Sequence, residues 1–152
     1  MTQIALVMWL RAMENRKTDS SKAEIMISKK IRDLHPVVEH IVNNLAAIEP
    51  IRFIRISPDF IQASSEATQG RVKNPITKPG HPSAIGLSLI VDYAYQDIHF
   101  FEMNSPIRGY GGMMVEAVLR DLPNGWKGVV VMDWSDGFWD KMKMKYSNLM
   151  VS

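Results

Sequence analysis

The residues best suited to chemistry lie between Asp97 and Gly112, a stretch reading Asp-Ile-His-Phe-Phe-Glu-Met-Asn-Ser-Pro-Ile-Arg-Gly-Tyr-Gly-Gly. Strand formers run into a glycine-rich turn that opens a helix. The start of a helix carries unpaired amide hydrogens and partial positive charge, which suits a phosphate. Glycine lets the backbone approach an anion closely, because no Cβ intervenes. Arg108 adds a full charge at the mouth. The plain alternative is a tight strand–helix turn that needs glycine for its geometry alone. It is not a P-loop, because no Gly-Lys-Ser/Thr ending follows. A Rossmann fingerprint fits poorly as well. Gly109-Tyr-Gly111 lacks the third glycine, and no acidic residue ends a strand about 20 residues on.

On the strand itself, Glu102 and His99 can take a proton from a nucleophile. Alternation places Glu102 with Phe100 on one face and His99 with Phe101 on the other, unless a bulge near 102 upsets the count. The plain readings are an exposed strand-end charge for Glu102 and a polar-face histidine for His99. His35 and His40 lie close together but have no third ligand nearby, so no metal site is expected. Arg71, Lys73, Lys78 and His81 form a basic cluster that reads as a solvated loop or as a contact for an acidic substrate or nucleic acid.

The elements that position these groups follow from periodicity. Residues 3–13 are apolar and fit helix or strand. Ser20 or Ser21 is an N-cap candidate, with Glu24 placed as in a capping box. Ile27, Ile31 and Leu34 then recur at helical spacing until Pro36 breaks or bends that helix. A second helix carries Val37, Val38, Ile41, Val42, Leu45 and Ile48 and stops at Pro50. Ile51 to Ile56 is β-prone, and residues 62–83 read as a long polar loop. Residues 84–103 predict two strands joined near Tyr95–Asp97. A helix over Met113 to Leu122, a turn at Asn124–Gly125, a strand over Val129 to Met132 covered on both faces, and a helix over Asp136 to Tyr146 follow. The result is a mixed α/β chain with a strand–helix–strand crossover, whose two strands must be parallel neighbours.

Composition narrows the field. A chain of 152 residues with 46% hydrophobic and 22% charged residues suits a single globular domain. Without cysteine it has no disulfide, thiolate zinc site or cysteine nucleophile. The net charge of +2 argues against a dedicated nucleic-acid binder. The longest apolar run, Ile4 to Leu10, is far below the roughly 20 residues of a membrane span. With no positive charge before it, it is also a poor signal peptide. A cytoplasmic protein of a cell, or of a virus infecting one, is the expectation. Eleven methionines are read mainly as adaptable core filler, with Met103, Met113 and Met114 flanking the glycine turn.

The segment from about 84 to 146 resembles the GNAT family of acyl-CoA-dependent N-acyltransferases. Arg108-Gly-Tyr-Gly-Gly112 matches the family's Arg/Gln-x-x-Gly-x-Gly/Ala opening. Met113-Met-Val-Glu-Ala-Val-Leu119 is similar to the helix after it, and Val129-Val-Val-Met132 to the next strand. Phe138-Trp-Asp-Lys-Met142 resembles the last helical motif. The family's last Gly/Ala falls on Met113 unless Gly112 takes that role, and its usual Asn before the final helix is absent. Trp139 stands where a tyrosine often acts as general acid.

The resemblance implies a GNAT-like α/β domain with a mixed central sheet, in which residues 3–49 form a helical N-terminal part. It implies acetyl-CoA as co-substrate, an unknown amine as acceptor, and direct transfer in a ternary complex. Amides of Arg108, Gly109, Tyr110, Gly111, Gly112 and Met113 would hold the pyrophosphate. Those of Met103 or Asn104 would polarise the thioester carbonyl, and Trp139 or Trp134 would pack on the pantetheine arm. Glu102 or His99 would be the base, and Tyr146 or water would protonate the leaving thiolate. The missing tyrosine also admits a non-catalytic GNAT-like binding module. A third reading makes the Met- and Trp-rich surface a homodimer interface. No membrane partner and no resident metal are expected.

Overall fold

Ile54, Ile56, Ile61, Ala63, Leu87, Leu89, Val91 and Ile98 recur at every second position and are all buried. Such alternation gives a sheet one apolar face. The structure, a computed structural model, describes residues 23–152. Its strands are β1 (Glu24–Ile27), β2 (Phe53–Ser57), β3 (Phe60–Ser64), β4 (Gly86–Asp92), β5 (Asp97–Asn104), β6 (Lys127–Val130) and β7 (Leu149–Val151). Its helices are α1 (Pro36–Ala46), α2 (Tyr110–Leu119) and α3 (Phe138–Lys145). The strands form one mixed sheet in the order β1 to β7. β1 runs parallel to β2, β2 to β5 are antiparallel neighbours, and β5, β6 and β7 are parallel.

The helices cover the apolar face. Val37, Val38, Ile41, Val42 and Leu45 form one side of α1 and are buried. Each such side chain contributes about 1.5–3 kcal/mol on burial. Pro36 opens α1 instead of breaking a helix, since a first-turn residue has no intrahelical amide bond to lose. His35 caps it, its Nδ1 accepting from the Val37 amide at 3.1 Å. Its ring also lies 5.4 Å from those of Tyr93 and Trp126, so a packing and capping role accounts for it. α1 meets α2 through Asn44, which donates to the Ala117 carbonyl at 3.0 Å and to Asp121 at 2.8 Å.

The other face is more polar and lies beneath residues 65–85. Ser64 donates to the Ile76 carbonyl at 2.7 Å, and the Ser65 hydroxyl accepts from the Ile85 amide at 2.9 Å. Gly86 lets this segment lie close. A Cβ there would sit 2.7 Å from the Ala63 carbonyl oxygen and 2.9 Å from that of Ile76. Backbone cannot swing aside as a side chain can. Gly86→Ala is therefore expected to cost about 1–3 kcal/mol, read by denaturant unfolding.

Glu39 gives a pH signature. It is 6% exposed on α1, and its Oε1 has no hydrogen-bond partner among the described residues. Burial raises its carboxyl above the ordinary 4.5. The unfolded chain thus ionises Glu39 at lower pH than the folded one, so stability falls as pH rises through the window above 4.5. Glu39→Gln is expected to raise the melting temperature at pH 7 and leave it nearly unchanged at pH 4.

Several elements differ from expectation. The helix predicted over Ile27 to Leu34 is not formed. β1 occupies 24–27, because pairing with β2 outweighs a short helical pattern. β3 takes 60–64, so the loop begins at 65. The helix expected from Met113 starts at Tyr110, taking Gly111 and Gly112 into its first turn. β6 ends at Val130, and Val131 and Met132 are 57% and 63% exposed instead of covered on both faces. The final helix starts at Phe138, after Asp136 and Gly137 with φ of 56° and 108°. The readings of residues 3–13, Ser20 and Ser21 fall outside the described residues.

Candidate functional site

β5 and β6 pair only over three residues, Asp97 to His99 against Lys127 to Val129. Beyond His99, β5 continues to Asn104 without a β6 partner. The two strands part there, and a cavity of about 240 Å³ opens between them. Phe100, Met103, Val130, Met132, Trp134 and Trp139 line it, with Glu102 and Ser135 as polar groups. Phe101 at its edge is 61% exposed and Trp134 is 83% exposed. The cleft thus has an apolar wall and a water-facing mouth.

A bulge in β5 reorients its side chains. Ser88 pairs with Glu102 but Leu89 pairs with Phe100, so Phe101 is the extra residue. Directly opposed residues share a face, and Ser88 and Ile90 lie on one side of β4. Glu102, opposite Ser88, therefore shares a face with His99, opposite Ile90. The alternation that grouped Glu102 with Phe100 fails at this bulge. Phe100 points to the helices, 4.9 Å from the ring of Trp139.

Glu102 accepts from Thr77 Oγ1 at 3.2 Å and from Ser88 Oγ at 3.4 Å. Two hydroxyls fix the carboxylate without neutralising it. His99 has Asp97 Oδ2 at 3.8 Å, and Asp97 is held by Lys127 Nζ at 2.7 Å. Asn104 is 7% exposed, and its side chain is fully used. Its Oδ1 accepts from the Gly80 amide at 2.9 Å, and Nδ2 donates to the carbonyls of His81 and Ala84 at 2.8 and 2.6 Å. This clamp ties residues 80–84 to the end of β5. Asn104→Ala strands three backbone groups, and a loss of about 2–4 kcal/mol is expected, with faster hydrogen exchange over 77–85 as the readout.

At the C-terminal end of β5, Gly109 caps α2 with φ of 99° and without a side-chain cap. No acidic residue stands in the first turn, and Arg108 and Met113 are exposed beside it. The amides of Tyr110, Gly111 and Gly112 therefore have no side-chain acceptor from the cap, and Arg108 precedes them in the chain. Nothing lies within 4 Å of the Cβ position of Gly109 or Gly112. Gly111 instead turns inward, where a Cβ would stand 3.2 Å from the Phe138 ring. It lets α3 approach α2.

α3 places Trp139 on the cleft. Ser135 accepts from the Trp139 amide at 3.2 Å and donates to Asp133 at 2.5 Å. The Ser135 hydroxyl and then its amide, which donates at 2.8 Å, hold the Asp133 carboxyl below its usual range. Tyr146 does not join the site. It ends α3, seven residues or about 10 Å beyond Trp139. Glu102, Met103 and Trp139 line the opening, whereas His99, Asn104, residues 108–113 and Tyr146 are not among its lining residues. Thr77, Ser88, Pro79, Phe101 and Met132 are the site residues that sequence reasoning missed.

Comparison with protein-family models, curated proteins and solved structures finds no match. The site must therefore be read from its own geometry. Among the described residues, no group of three His, Asp or Glu side chains is placed to hold a metal ion. No described helix is long and apolar enough to cross a membrane.

Proposed function

We propose that this chain is a GNAT-type N-acyltransferase that moves an acetyl group from acetyl-CoA to an amine. The observation that carries the reading is the parting of β5 from β6 beside a bulge, with the uncapped start of α2 at the end of the same strand. An apolar slot beside β5, with a helix start next to Arg108 six residues after that strand ends, suits a pantetheine arm ending in a pyrophosphate. Amides from Arg108 to Gly112 would take the pyrophosphate, while that of Met113, expected to join them, already donates to the Gly109 carbonyl at 3.2 Å; Trp139, Met103 and Trp134 would flank the arm.

The coenzyme supplies the acetyl group as a thioester. Beyond His99 the β6-side edge of β5 has no ladder partner among the described residues, so the amides of Met103 or Asn104 are candidates to polarise the carbonyl. Glu102 takes the amine's proton directly or through one water, held in place by Thr77 and Ser88. His99, with Asp97 behind it, stands on the same face as the alternative base. Tyr146 is too distant to protonate the thiolate, which leaves that proton to water. The product is an amide and a free thiol.

Co-crystallisation with acetyl-CoA tests the reading. Density for pantetheine between β5 and β6, with phosphates against 109–112, is expected; density elsewhere contradicts it. The second reading, a non-catalytic binding module, is favoured by Trp139 in place of a tyrosine and by the distance of Tyr146. Acetyl transfer to any member of a broad amine panel excludes it.

A further inference from the structure

A second cavity, of about 450 Å³, lies between β1, the end of β2 and residues 70–73. Among the described residues, its walls carry Lys29, Arg55, Arg71 and Lys73 against a single carboxylate, Glu24. A protein with a net charge of only +2 thus gathers four of its cations around one opening. Arg55 projects from β2 on the polar sheet face. Its register partner in β1 is Met26, and Gln62, Ser88 and Glu102 continue the same cross-strand row. Arg55 and Glu102 are three strands apart, about 14 Å at ordinary strand spacing, so the cavity is separate from the β5–β6 cleft.

The charges are held in position to different degrees. The guanidinium of Arg55 donates to the Asn74 side chain, which leaves other N–H groups of its fork to donate. Lys73 stands 3.5 Å from Glu24 and 5.5 Å from the centre of the Phe53 ring. Glu24 offsets part of its charge. Arg71 and Lys29, the latter two residues after β1 ends, are exposed lining residues. Two guanidinium forks with two ammonium groups around a small opening match a tetrahedral oxyanion better than a planar, singly charged carboxylate. A cavity of this size holds one phosphate-bearing small molecule, whereas a nucleic-acid strand needs an extended basic track.

We propose that this pocket binds the phosphate group of a small organic phosphate. The proposal does not depend on the acyltransferase reading, because no residue is shared between the two cavities. Isothermal titration of the full chain with inorganic phosphate and with 2-aminoethyl phosphate, at low ionic strength, tests it. Saturable binding of both shows that phosphate is the recognised group, and tighter binding of the organic form shows that the pocket also reads the rest of the molecule. Arg71→Ala combined with Lys29→Ala removes exposed side chains and should leave folding intact, as a thermal melt will confirm. At least tenfold weaker binding is expected in that double variant, and a further loss with Arg55→Lys, which removes the fork but keeps the charge. Binding that is undiminished in the double variant places the anion elsewhere and overturns the proposal. So does the absence of saturable binding by the parent protein. Equal affinity for 2-aminoethyl phosphate and for ethanolamine, which lacks the phosphate, would also refute it.

Discussion

Replacing Glu102 with Gln is expected to lower kcat for acetyl transfer by about two to four orders of magnitude, the usual contribution of a positioned general base. Glutamine keeps the size of the side chain and its contacts with Thr77 and Ser88, so coenzyme affinity and melting temperature should change little. The same loss should not follow from His99→Gln, whose ring is paired with Asp97. If the loss appears at His99 and not at Glu102, the base is the histidine on the same face. Full activity in both variants leaves deprotonation to bulk water. Steady-state kinetics against saturating acetyl-CoA separates these outcomes.

Trp139→Ala is expected to cost about 3–5 kcal/mol, the range for emptying a buried aromatic site. The indole is 7% exposed and lies 4.9 Å from the Phe100 ring and 5.0 Å from the Phe138 ring. Those contacts join β5 to α3 at the point where β5 leaves β6. A domain with roughly 5–15 kcal/mol in hand would lose a fifth or more of its stability. Trp139→Phe keeps a ring in place and should cost less than about 1.5 kcal/mol. Urea unfolding of both variants checks the pair. A neutral Trp139→Ala would show that the cleft wall is not held by this residue, and the account of its shape would have to change.

The parts of the fold that were legible in the sequence have strong local patterns. α1 shows its buried stripe from Val37 to Leu45, and β4 and β5 show alternation around a short polar turn. The strand–helix–strand unit of β5, α2 and β6 is parallel, as its order implies. What was not legible depends on distant partners. β1 and β7 are three or four residues long and exist because β2 and β6 offer open edges. The bulge at Phe101 leaves no trace in composition, yet it decides which way Glu102 points. Gly111 read as part of an anion-binding turn, and its cause is the Phe138 ring 27 positions later.

The candidate site shows the same division. The glycine turn, Arg108, Glu102 and Trp139 stand out by residue type and spacing. Thr77 and Ser88, which hold Glu102, come from 25 and 14 positions away and carry no motif. Tyr146 fits the expected chemistry, but the length of α3 carries it to the far end of the sheet. The basic residues of the long loop gain meaning only when Arg71 and Lys73 are seen beside Arg55 and Lys29.

The central claim is that the opening between β5 and β6 holds acetyl-CoA. Isothermal titration of the full chain with acetyl-CoA tests it most directly. Saturable binding with one coenzyme per chain is predicted, weakened by Arg108→Ala and by Trp139→Phe. No saturable heat at millimolar coenzyme would contradict it.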